Sequence, residues 1–279
     1  MSNTVLYEVK NNIAYITLNR PKKLNAFNLE MSSALRDTWK RFENNDAAKV
    51  AILNGNGKSF SVGVDLTDED RKKGKAWQYH DAYPLNGTAL FKPIVGAVRG
   101  YALGQGYLIA VTGCDITIAS DDAVFGQTGA SVGACPTVGA TQYLPRVVGE
   151  RLAKEMIFLA RKFNAHEAQQ IGLINKVVPK AELRKATEEW CERIKSHSGQ
   201  TLRATKKALN FESDELYAAW QHGMELLAEI WGSEESLEGM NAFLEKRKPD
   251  FNKFRMRNKK QVEQYLAGLA ADENRAKKK

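Results

Sequence analysis

Three glycine-bearing segments of this 279-residue chain could bind a ligand through their backbone: residues 60–66, 100–106 and 125–129. The first follows a buried strand pattern, and the second links a strand pattern to a helix pattern. Glycine lets the backbone approach a ligand closely, and an N–H group at a helix N-terminus is a donor in a positive field. Two such amides that converge from different segments would form an oxyanion hole. Taken alone, each segment is more typical of an ordinary turn.

Three side chains are candidates for a part in the chemistry: those of His80, Asp65 and Cys135. His80 lies beside Asp81 and titrates near neutral pH, so it is a candidate base or nucleophile, although a single exposed histidine fits the same pattern. Asp65 is expected to hold its own loop through backbone hydrogen bonds. Cys135 would need a nearby cation to favour its thiolate. The sequence offers none, so Cys135 is expected to pack in the core.

Hydrophobic periodicity predicts the elements that must position these segments. Two short strands flank an Asn11–Asn12 turn, and Asn28 caps a helix that runs to about residue 44. Strands and helices alternate as far as about residue 180 and the pattern is then wholly helical, which predicts an α/β body with right-handed crossovers. The predicted strands are 6–9, 13–18, 50–53, 93–98, 115–119 and 123–125, and the later helices are 104–113, 183–196, 201–210, 213–231 and 234–246.

The composition is that of a globular protein, with 43% hydrophobic and 27% charged residues. No apolar run of about 18 residues occurs, so no membrane span is expected, and the N-terminus lacks the pattern of a secretory signal. The three cysteines, Cys114, Cys135 and Cys191, are widely spaced. This spacing argues against a disulfide framework or a zinc site and for a reducing compartment, so a cytoplasmic location is expected.

The net charge of +8 is concentrated at the C-terminus, because residues 255–279 carry eight Lys/Arg against three Asp/Glu. This tail has a single aromatic residue, Tyr265, so a solvated tail is expected and nucleic-acid binding is not. The mildly basic remainder suits an anionic ligand. We expect an α/β core domain over 1–197, a helical oligomerisation region over 198–254 and a basic tail over 255–279.

A set of motifs along residues 5–254 resembles, in order, the successive signatures of the crotonase (enoyl-CoA hydratase/isomerase) family. Each motif is weak alone, but the ordered set is specific. The resemblance implies an α/β crotonase-like spiral of ββα units with a helical C-terminal trimerisation region, and homotrimers that can pair into hexamers. The motifs are Asn19-Arg20-Pro21 with Leu24-Asn25-Ala26, residues 60–66, 92–106, 114–116, 125–127 and 172–178, and a C-terminal stretch over 242–251.

The same resemblance implies an acyl-CoA substrate and neither a metal nor a separate cofactor. The thioester oxygen would accept hydrogen bonds from the backbone N–H groups of Val64 and Gln105. The family usually has glycine at the second position, but only the N–H group is needed, so glutamine fits if its φ is allowed. The residues implied to contact coenzyme A are Lys23, Leu24, Ala26, Ser61, Val62, Asp65 and Leu66, with Phe243 and Lys246 supplied by a neighbouring subunit.

The acid–base residues of the family's hydratases are replaced in this sequence. Those enzymes use two glutamates to hold a water molecule and move its proton. Leu108 and Gly129 stand at the corresponding positions, and the carboxylate used by isomerases would fall near Pro136 and Thr137. A simple hydratase mechanism is therefore not expected.

Residues 126–129 and 245–251 resemble the 1,4-dihydroxy-2-naphthoyl-CoA synthase branch of the family. That resemblance implies a bicarbonate ion or a water molecule held by Gln127 and Thr128, although ordinary turn hydrogen bonds would explain the same residues. The aspartate, tryptophan and tyrosine of that branch are replaced by Pro136, Ile157 and Trp231. Full synthase chemistry is therefore not expected.

The sequence thus predicts an acyl-CoA enzyme of the hydratase/isomerase type that stabilises a thioester enolate and whose proton-transfer group is unidentified. A held water molecule, an anion or His80 would serve as this proton-transfer group. Two other functions stay open: a hydrolase of CoA thioesters or β-ketoacyl-CoA, and a CoA-binding oligomer without catalysis.

Overall fold

The computed structural model describes residues 2–68, 90–136 and 139–254, and positions 263, 264 and 267. Strands and helices alternate as far as residue 178, which confirms the predicted α/β class. The strands are β1 (Val5–Lys10), β2 (Ile13–Leu18), β3 (Val50–Gly55), β4 (Ile94–Val98), β5 (Tyr101–Leu103), β6 (Ile116–Ser120), β7 (Val124–Gly126), β8 (Lys162–Asn164) and β9 (Lys176–Val178). The helices are α1 (Leu29–Glu43), α2 (Gln105–Val111), α3 (Ala140–Val148), α4 (Glu150–Phe158), α5 (Ala165–Gln170), α6 (Leu183–Lys195), α7 (Gly199–Glu215), α8 (Tyr217–Ile230) and α9 (Glu234–Leu244).

The larger sheet has the strand order β1-β2-β3-β4-β6-β9. Its β1–β2 hairpin is antiparallel, and the turn residues Asn11 and Asn12 have φ angles of 50° and 61°. Two positive φ angles are typical of the tight turns that join antiparallel strands, so the predicted hairpin is confirmed. The other neighbouring strands are parallel. Parallel strands need cover on both faces, and α6 covers one of them by packing against β3, β4 and β6.

Helix α1 covers part of the core as its sequence pattern predicts. The Asn28 side chain caps the helix by accepting a hydrogen bond from the Met31 N–H at 3.0 Å. Met31, Leu35, Trp39 and Phe42 are buried on its inner face. Burial of four such side chains fixes the helix against the sheet.

A smaller sheet with the order β5-β7-β8 lies beside the first. Of its strands, the sequence predicts only β7. All three strands have three residues each, and a strand that short shows no clear alternation. The segments 100–106 and 125–129 lie at the ends of β5 and β7, which pair in parallel. The small sheet therefore brings these two glycine-bearing segments side by side.

The helical C-terminal region differs from prediction in its boundaries. Helix α7 continues to Glu215, beyond the predicted end at residue 210, so α8 begins at Tyr217 and not at residue 213. Helix α9 ends at Leu244, because Lys246 adopts a left-handed φ of 56°. The sequence analysis also misses α3, α4 and α5, which lie between the recognised motifs.

Within the described ranges, no helix is long and apolar enough to cross a membrane. The same residues contain no cluster of three His, Cys, Asp or Glu side chains that could hold a metal ion.

Candidate active site

A cavity of about 780 Å³ lies between the small sheet, the segment after β3 and the helical C-terminal region. It is large enough for part of a small-molecule ligand, since typical ligand pockets span about 300–1,000 Å³. Eleven of the residues predicted to form the site line it: Lys23, Leu24, Ala26, Val62, Val64, Asp65, Leu66, Gln105, Gln127, Thr128 and Phe243.

The two proposed donor segments are in direct contact at one wall of the cavity. A Cβ atom placed on Gly63 would lie 3.4 Å from the Gln105 nitrogen and 2.9 Å from the Leu103 carbonyl oxygen. Gly63 has a φ of 94°, and a Cβ on Gly104 would lie 3.8 Å from the Gly63 Cα atom. Only glycine combines a positive φ with so close an approach. The segments 60–66 and 100–106 therefore meet through their glycines.

The Val64 N–H group is directed away from the neighbouring chain segment. Val64 forms an isolated parallel bridge with Phe27, in which the Phe27 N–H donates to Gly63 O and the Asp65 N–H donates to Phe27 O, both at 2.8 Å. In such a bridge the amide of the middle residue points to the opposite side. Within the described part of the chain, no acceptor is paired with this N–H group.

Gln105 is the first residue of α2, so its N–H group lies outside the hydrogen-bond ladder of the helix and in the positive field of the helix N-terminus. The preceding Gly104 has φ 54° and ψ −119° and makes the sharp turn into the helix. Gln105 itself is not among the residues with positive φ. A glutamine is thus compatible with this backbone, as the sequence analysis requires.

Asp65 lines the cavity, but both of its carboxylate oxygens already accept hydrogen bonds from protein groups. Its Oδ1 accepts from the Thr67 N–H at 3.0 Å and the Thr67 hydroxyl at 2.6 Å, and Arg20 Nη2 donates to Oδ2 at 2.9 Å. Burial alone would raise the pKa of Asp65, but the hydrogen bonds from Thr67 and Arg20 outweigh it and hold the pKa below its usual value. Asp65 is therefore an anion that holds the loop after Val64.

The edge of the cavity near Lys23 is built by a left-handed turn. Leu24 and Asn25 have φ angles of 49° and 56°. The fully buried Asn25 side chain donates to Asn56 O at 2.8 Å and Ser59 O at 2.9 Å. The Val62 N–H donates to Leu24 O at 3.2 Å. These bonds tie the segment 23–26 to the segment after β3 and leave Lys23 and Leu24 exposed at the mouth.

Two described residues of the predicted site, Ser61 and Lys246, do not line the cavity. Ser61 is fully buried, and its hydroxyl donates to Asn25 O at 2.7 Å, so the side chain supports the loop and does not face a ligand. Lys246 is exposed beyond the end of α9. His80 lies outside the described residues, as does Thr137. Phe243, which was predicted to come from a neighbouring subunit, lines the cavity of its own chain.

Leu108 and Gly129, which are predicted to replace the two hydratase glutamates, also line the cavity. Leu108 on α2 is apolar and nearly buried, and Gly129 begins a short 3₁₀ segment over Gly129–Val132. A Cβ on Gly129 would lie 2.8 Å from the Ala134 carbonyl oxygen. A side chain at this position therefore requires a shift of the backbone. Burial raises the pKa of the neighbouring Cys135 thiol, so the thiol is neutral and poorly nucleophilic.

Gln127 and Thr128 follow β7 and line the cavity next to the Gly104–Gln105 corner. Gln127 is only 2% exposed. Within the described residues, its Nε2 atom has no hydrogen-bond partner. A carboxamide donor and a hydroxyl group are suitable ligands for an oxyanion or a water molecule, so the residues present fit the held anion that the sequence analysis considers.

Several lining residues carry no signal that sequence reasoning could use. Leu227 and Trp231 come from α8 and its end, about 100 residues from the other walls, and no local pattern predicts that approach. Trp231 had been noted only as a replacement in the synthase pattern. The other lining residues outside the segments named from the sequence include Thr67, Ser131, Val132, Leu159, Ala160 and Lys162.

Known proteins similar to this chain share its family signature and its fold. The family model for enoyl-CoA hydratase/isomerase matches residues 8–255. Similar solved structures include a probable enoyl-CoA hydratase from Mycobacterium smegmatis, with 33% identity, 85% of this chain and 98% of that chain covered, and a TM-score of 0.72. An enoyl-CoA hydratase/isomerase from Xanthobacter autotrophicus Py2 shares 30% identity over 87% of this chain and 93% of that chain, with a TM-score of 0.78. A carnitinyl-CoA hydratase from Mycobacterium avium shares 26% identity over 90% of this chain and 99% of that chain, with a TM-score of 0.79.

Proposed function

Because the chain belongs to the enoyl-CoA hydratase/isomerase family, the crotonase superfamily, we propose that it processes an acyl-CoA and stabilises a thioester enolate with the backbone N–H groups of Val64 and Gln105. The observation that carries this proposal is the contact between Gly63 and the Gln105 nitrogen at the wall of the cavity. Val64, which follows Gly63, and Gln105 both line this cavity, which supports a ligand oxygen that accepts from both main-chain donors.

In the proposed mechanism the thioester oxygen accepts both hydrogen bonds. Negative charge grows on this oxygen when an α-proton leaves or when a nucleophile attacks, so donors fixed in advance stabilise the transition state more than the ground state. The position of Gln105 at the N-terminus of α2 adds the field of the helix dipole. Neither effect requires a side-chain carboxylate.

Coenzyme A is proposed to lie along the edge formed by Lys23, Leu24 and Ala26. The exposed Lys23 ammonium at the mouth favours a phosphate group, while Leu24, Val62 and Leu66 offer apolar surface to the pantetheine arm. Ser61 and Asp65 would support this edge, the first through Asn25 and the second through Arg20.

The proton-transfer step is proposed to use a water or a small anion at Gln127 and Thr128, or His80. Gln127 supports the first choice because its Nε2 group is buried at the cavity without a partner in the described part of the chain. A bicarbonate ion bound there would supply a base, and the two side chains would hold its oxygens.

A cytoplasmic homotrimer or hexamer completes the proposal. The three cysteines are unpaired by disulfides, which suits a reducing compartment. The exposed Phe243 and Leu244 on α9 suit contact with another subunit, where Lys246 would contribute to coenzyme A binding.

The oxyanion hole is tested by difference infrared spectroscopy of bound crotonyl-CoA labelled with ¹³C at the thioester carbonyl. Two backbone hydrogen bonds should lower the carbonyl stretching frequency below that of the free ligand in water. Tight binding without a lower carbonyl stretching frequency would refute the proposed oxyanion hole.

The reaction is tested in parallel with crotonyl-CoA and with a β-ketoacyl-CoA. Loss of the enoyl absorbance indicates hydration, and release of free CoA indicates the hydrolase. Binding without turnover of either thioester indicates the non-catalytic oligomer.

A further inference from the structure

The side chain of Gln127 is a buried hydrogen-bond donor at the cavity wall that lacks an acceptor among the described residues. The residue is 2% exposed and lines the cavity, and its Nε2 atom meets no acceptor within the described ranges. Buried polar groups in native proteins are almost always hydrogen-bonded, and a carboxamide nitrogen carries two N–H donors. An oxygen atom of a ligand in the cavity would supply such an acceptor.

Gln127 lies directly beside the corner that carries the Gln105 amide. Gly126 pairs with Leu103 across β7 and β5, and the Gly104 N–H donates to Gly126 O at 2.9 Å. Adjacent strands lie about 5 Å apart, so the backbone of Gln127 is about one strand spacing from that of Gly104. An acyl group held at Gln105 would pass the Gln127 side chain within its first few carbon atoms.

The free Nε2 group of Gln127 is a hydrogen-bond donor, so it favours a contact with an oxygen atom over a contact with a cation. Among the residues that line the same cavity, Gly129 and Leu108 are uncharged, and the carboxylate of Asp65 is already bonded to Arg20 and Thr67. A hydrogen bond in surroundings of low polarity is stronger than one exposed to water. The acceptor that fits best is a carbonyl or carboxylate oxygen.

We infer that Gln127 is a specificity-determining residue, which selects acyl-CoA substrates whose acyl group carries an oxygen acceptor a few bonds from the thioester carbonyl, as a 3-oxoacyl group does. This inference rests on the proposed function, since the acyl group must extend from the Val64–Gln105 corner. If the substrate oxygen occupies this position, the proton transfer of the proposed function is left to His80. If a free bicarbonate ion occupies it, the inference fails, and the experiment has an arm that separates the two sources.

The test compares the binding of two thioethers, S-(3-oxobutyl)-CoA and S-butyl-CoA, by isothermal titration calorimetry. The two ligands differ only in one keto oxygen, and neither has a thioester carbonyl, so the oxyanion hole does not contribute to the difference. We expect the oxobutyl compound to bind about three- to tenfold more tightly to the wild-type protein, as one neutral hydrogen bond provides. Failure of both compounds to bind would count against the proposed CoA site itself.

Two variants connect this preference to Gln127. Gln127→Met keeps the size and removes the donor, so the ratio of the two dissociation constants should fall to about one, with S-butyl-CoA binding retained. Gln127→Leu also lacks the donor, so its ratio of dissociation constants should likewise be about one. Thermal unfolding of both variants shows whether they remain folded.

Two results would overturn the inference. The first is an equal affinity of both thioethers for the wild-type protein, or a preference that survives in folded Gln127→Met. The second is competition by added sodium bicarbonate against S-(3-oxobutyl)-CoA in the wild-type protein but not in Gln127→Met, which would assign the site to a free anion.

Discussion

Gly63 and Gln105 are in backbone contact, with only 3.4 Å between the Gln105 nitrogen and the point where a Gly63 Cβ would lie. The two residues are 42 positions apart and belong to different turns of the chain. Their contact requires glycine at position 63, both for space and for its φ of 94°. The proposed oxyanion hole depends on this contact.

Replacing Gly63 with alanine should therefore weaken both the fold and the site. The new methyl group would lie 2.9 Å from Leu103 O on a strained backbone, so we expect a loss of about 2 kcal/mol or more in the free energy of unfolding and a large fall in kcat/KM. Gly172→Ala is the matched control, because Gly172 has a φ of 76° but nothing within 4 Å of the added Cβ. It should cost about 1 kcal/mol and leave kcat/KM unchanged. Equal kinetics for the two variants would contradict the assignment.

A proline at position 105 should remove one proposed donor with little damage to the helix. Proline is favoured at the first position of a helix, where its missing N–H group is outside the ladder, and Gln105 occupies that position in α2. We expect kcat/KM for the true substrate to fall about 10²–10³-fold, as when one oxyanion donor is lost. Gln105→Ala keeps the N–H group, so its kcat/KM should fall much less. A similar loss in both variants would assign the effect to the side chain.

The Arg20–Asp65 pair should stabilise the fold in a pH-dependent manner. The pKa of Asp65 is lowered in the folded protein, so its contribution is fully present above the unfolded value of about 3.9 and is lost as the pH falls through the folded pKa. Asp65→Asn should therefore cost about 2 kcal/mol at pH 7, and the difference from wild type should shrink below about pH 4. Urea unfolding from pH 7 to pH 3 measures it.

An exposed ion pair gives the control for this prediction. Glu150 pairs with Lys154 on the surface of α4, where solvent screens the charges. Glu150→Gln should therefore change the free energy of unfolding far less than Asp65→Asn does at pH 7. An Asp65→Asn difference that stays constant down to pH 3 would contradict a lowered pKa.

Restoring the missing carboxylates should raise the hydration of crotonyl-CoA. Leu108→Glu with Gly129→Glu supplies the acid–base pair, which contributes about 10²–10⁴-fold in enzymes that use one. We expect at least a tenfold gain, reduced by the backbone shift at position 129, where the Cβ would lie 2.8 Å from Ala134 O. Leu108→Gln with Gly129→Gln matches the size without the chemistry. A folded glutamate variant no faster than the glutamine variant would mean that more than this pair is missing.

Gly239 should be required for helix α9 to pack in its position at the cavity wall. A Cβ on Gly239 would lie 2.5 Å from the Val132 carbonyl carbon and 2.8 Å from the Gly133 nitrogen, so Gly239→Ala should push α9 away from the segment over Gly129–Val132. We expect weaker binding of CoA thioesters, because Phe243 and Leu244 line the cavity from this helix, and about 1–3 kcal/mol lower stability. Gly199→Ala, with nothing within 4 Å of the new Cβ, should weaken neither the binding of CoA thioesters nor the stability. Calorimetry measures the binding, and thermal unfolding measures the stability.

The sequence by itself predicts the α/β class, the β1–β2 hairpin, α1 and the segments that carry the candidate donors. These are local properties: the Asn11–Asn12 turn, the Asn28 cap and the positions of glycine next to strand and helix patterns all act within a few residues. The replacement of both hydratase glutamates by Leu108 and Gly129 stays a prediction from the resemblance to the family. Short strands such as β5 and β8 are not predicted, because three residues show no reliable period.

Only the tertiary structure decides which predicted residues share the cavity. Ser61 and Val62 are adjacent in sequence, yet Ser61 is buried against Asn25 while Val62 lines the cavity, because successive residues of extended backbone point to opposite sides. Trp231 and Phe243 reach the same cavity through the packing of α8 and α9, which depends on contacts between residues about 100 positions apart. Spacing along the chain carries no information about such contacts, since they depend on how whole elements pack.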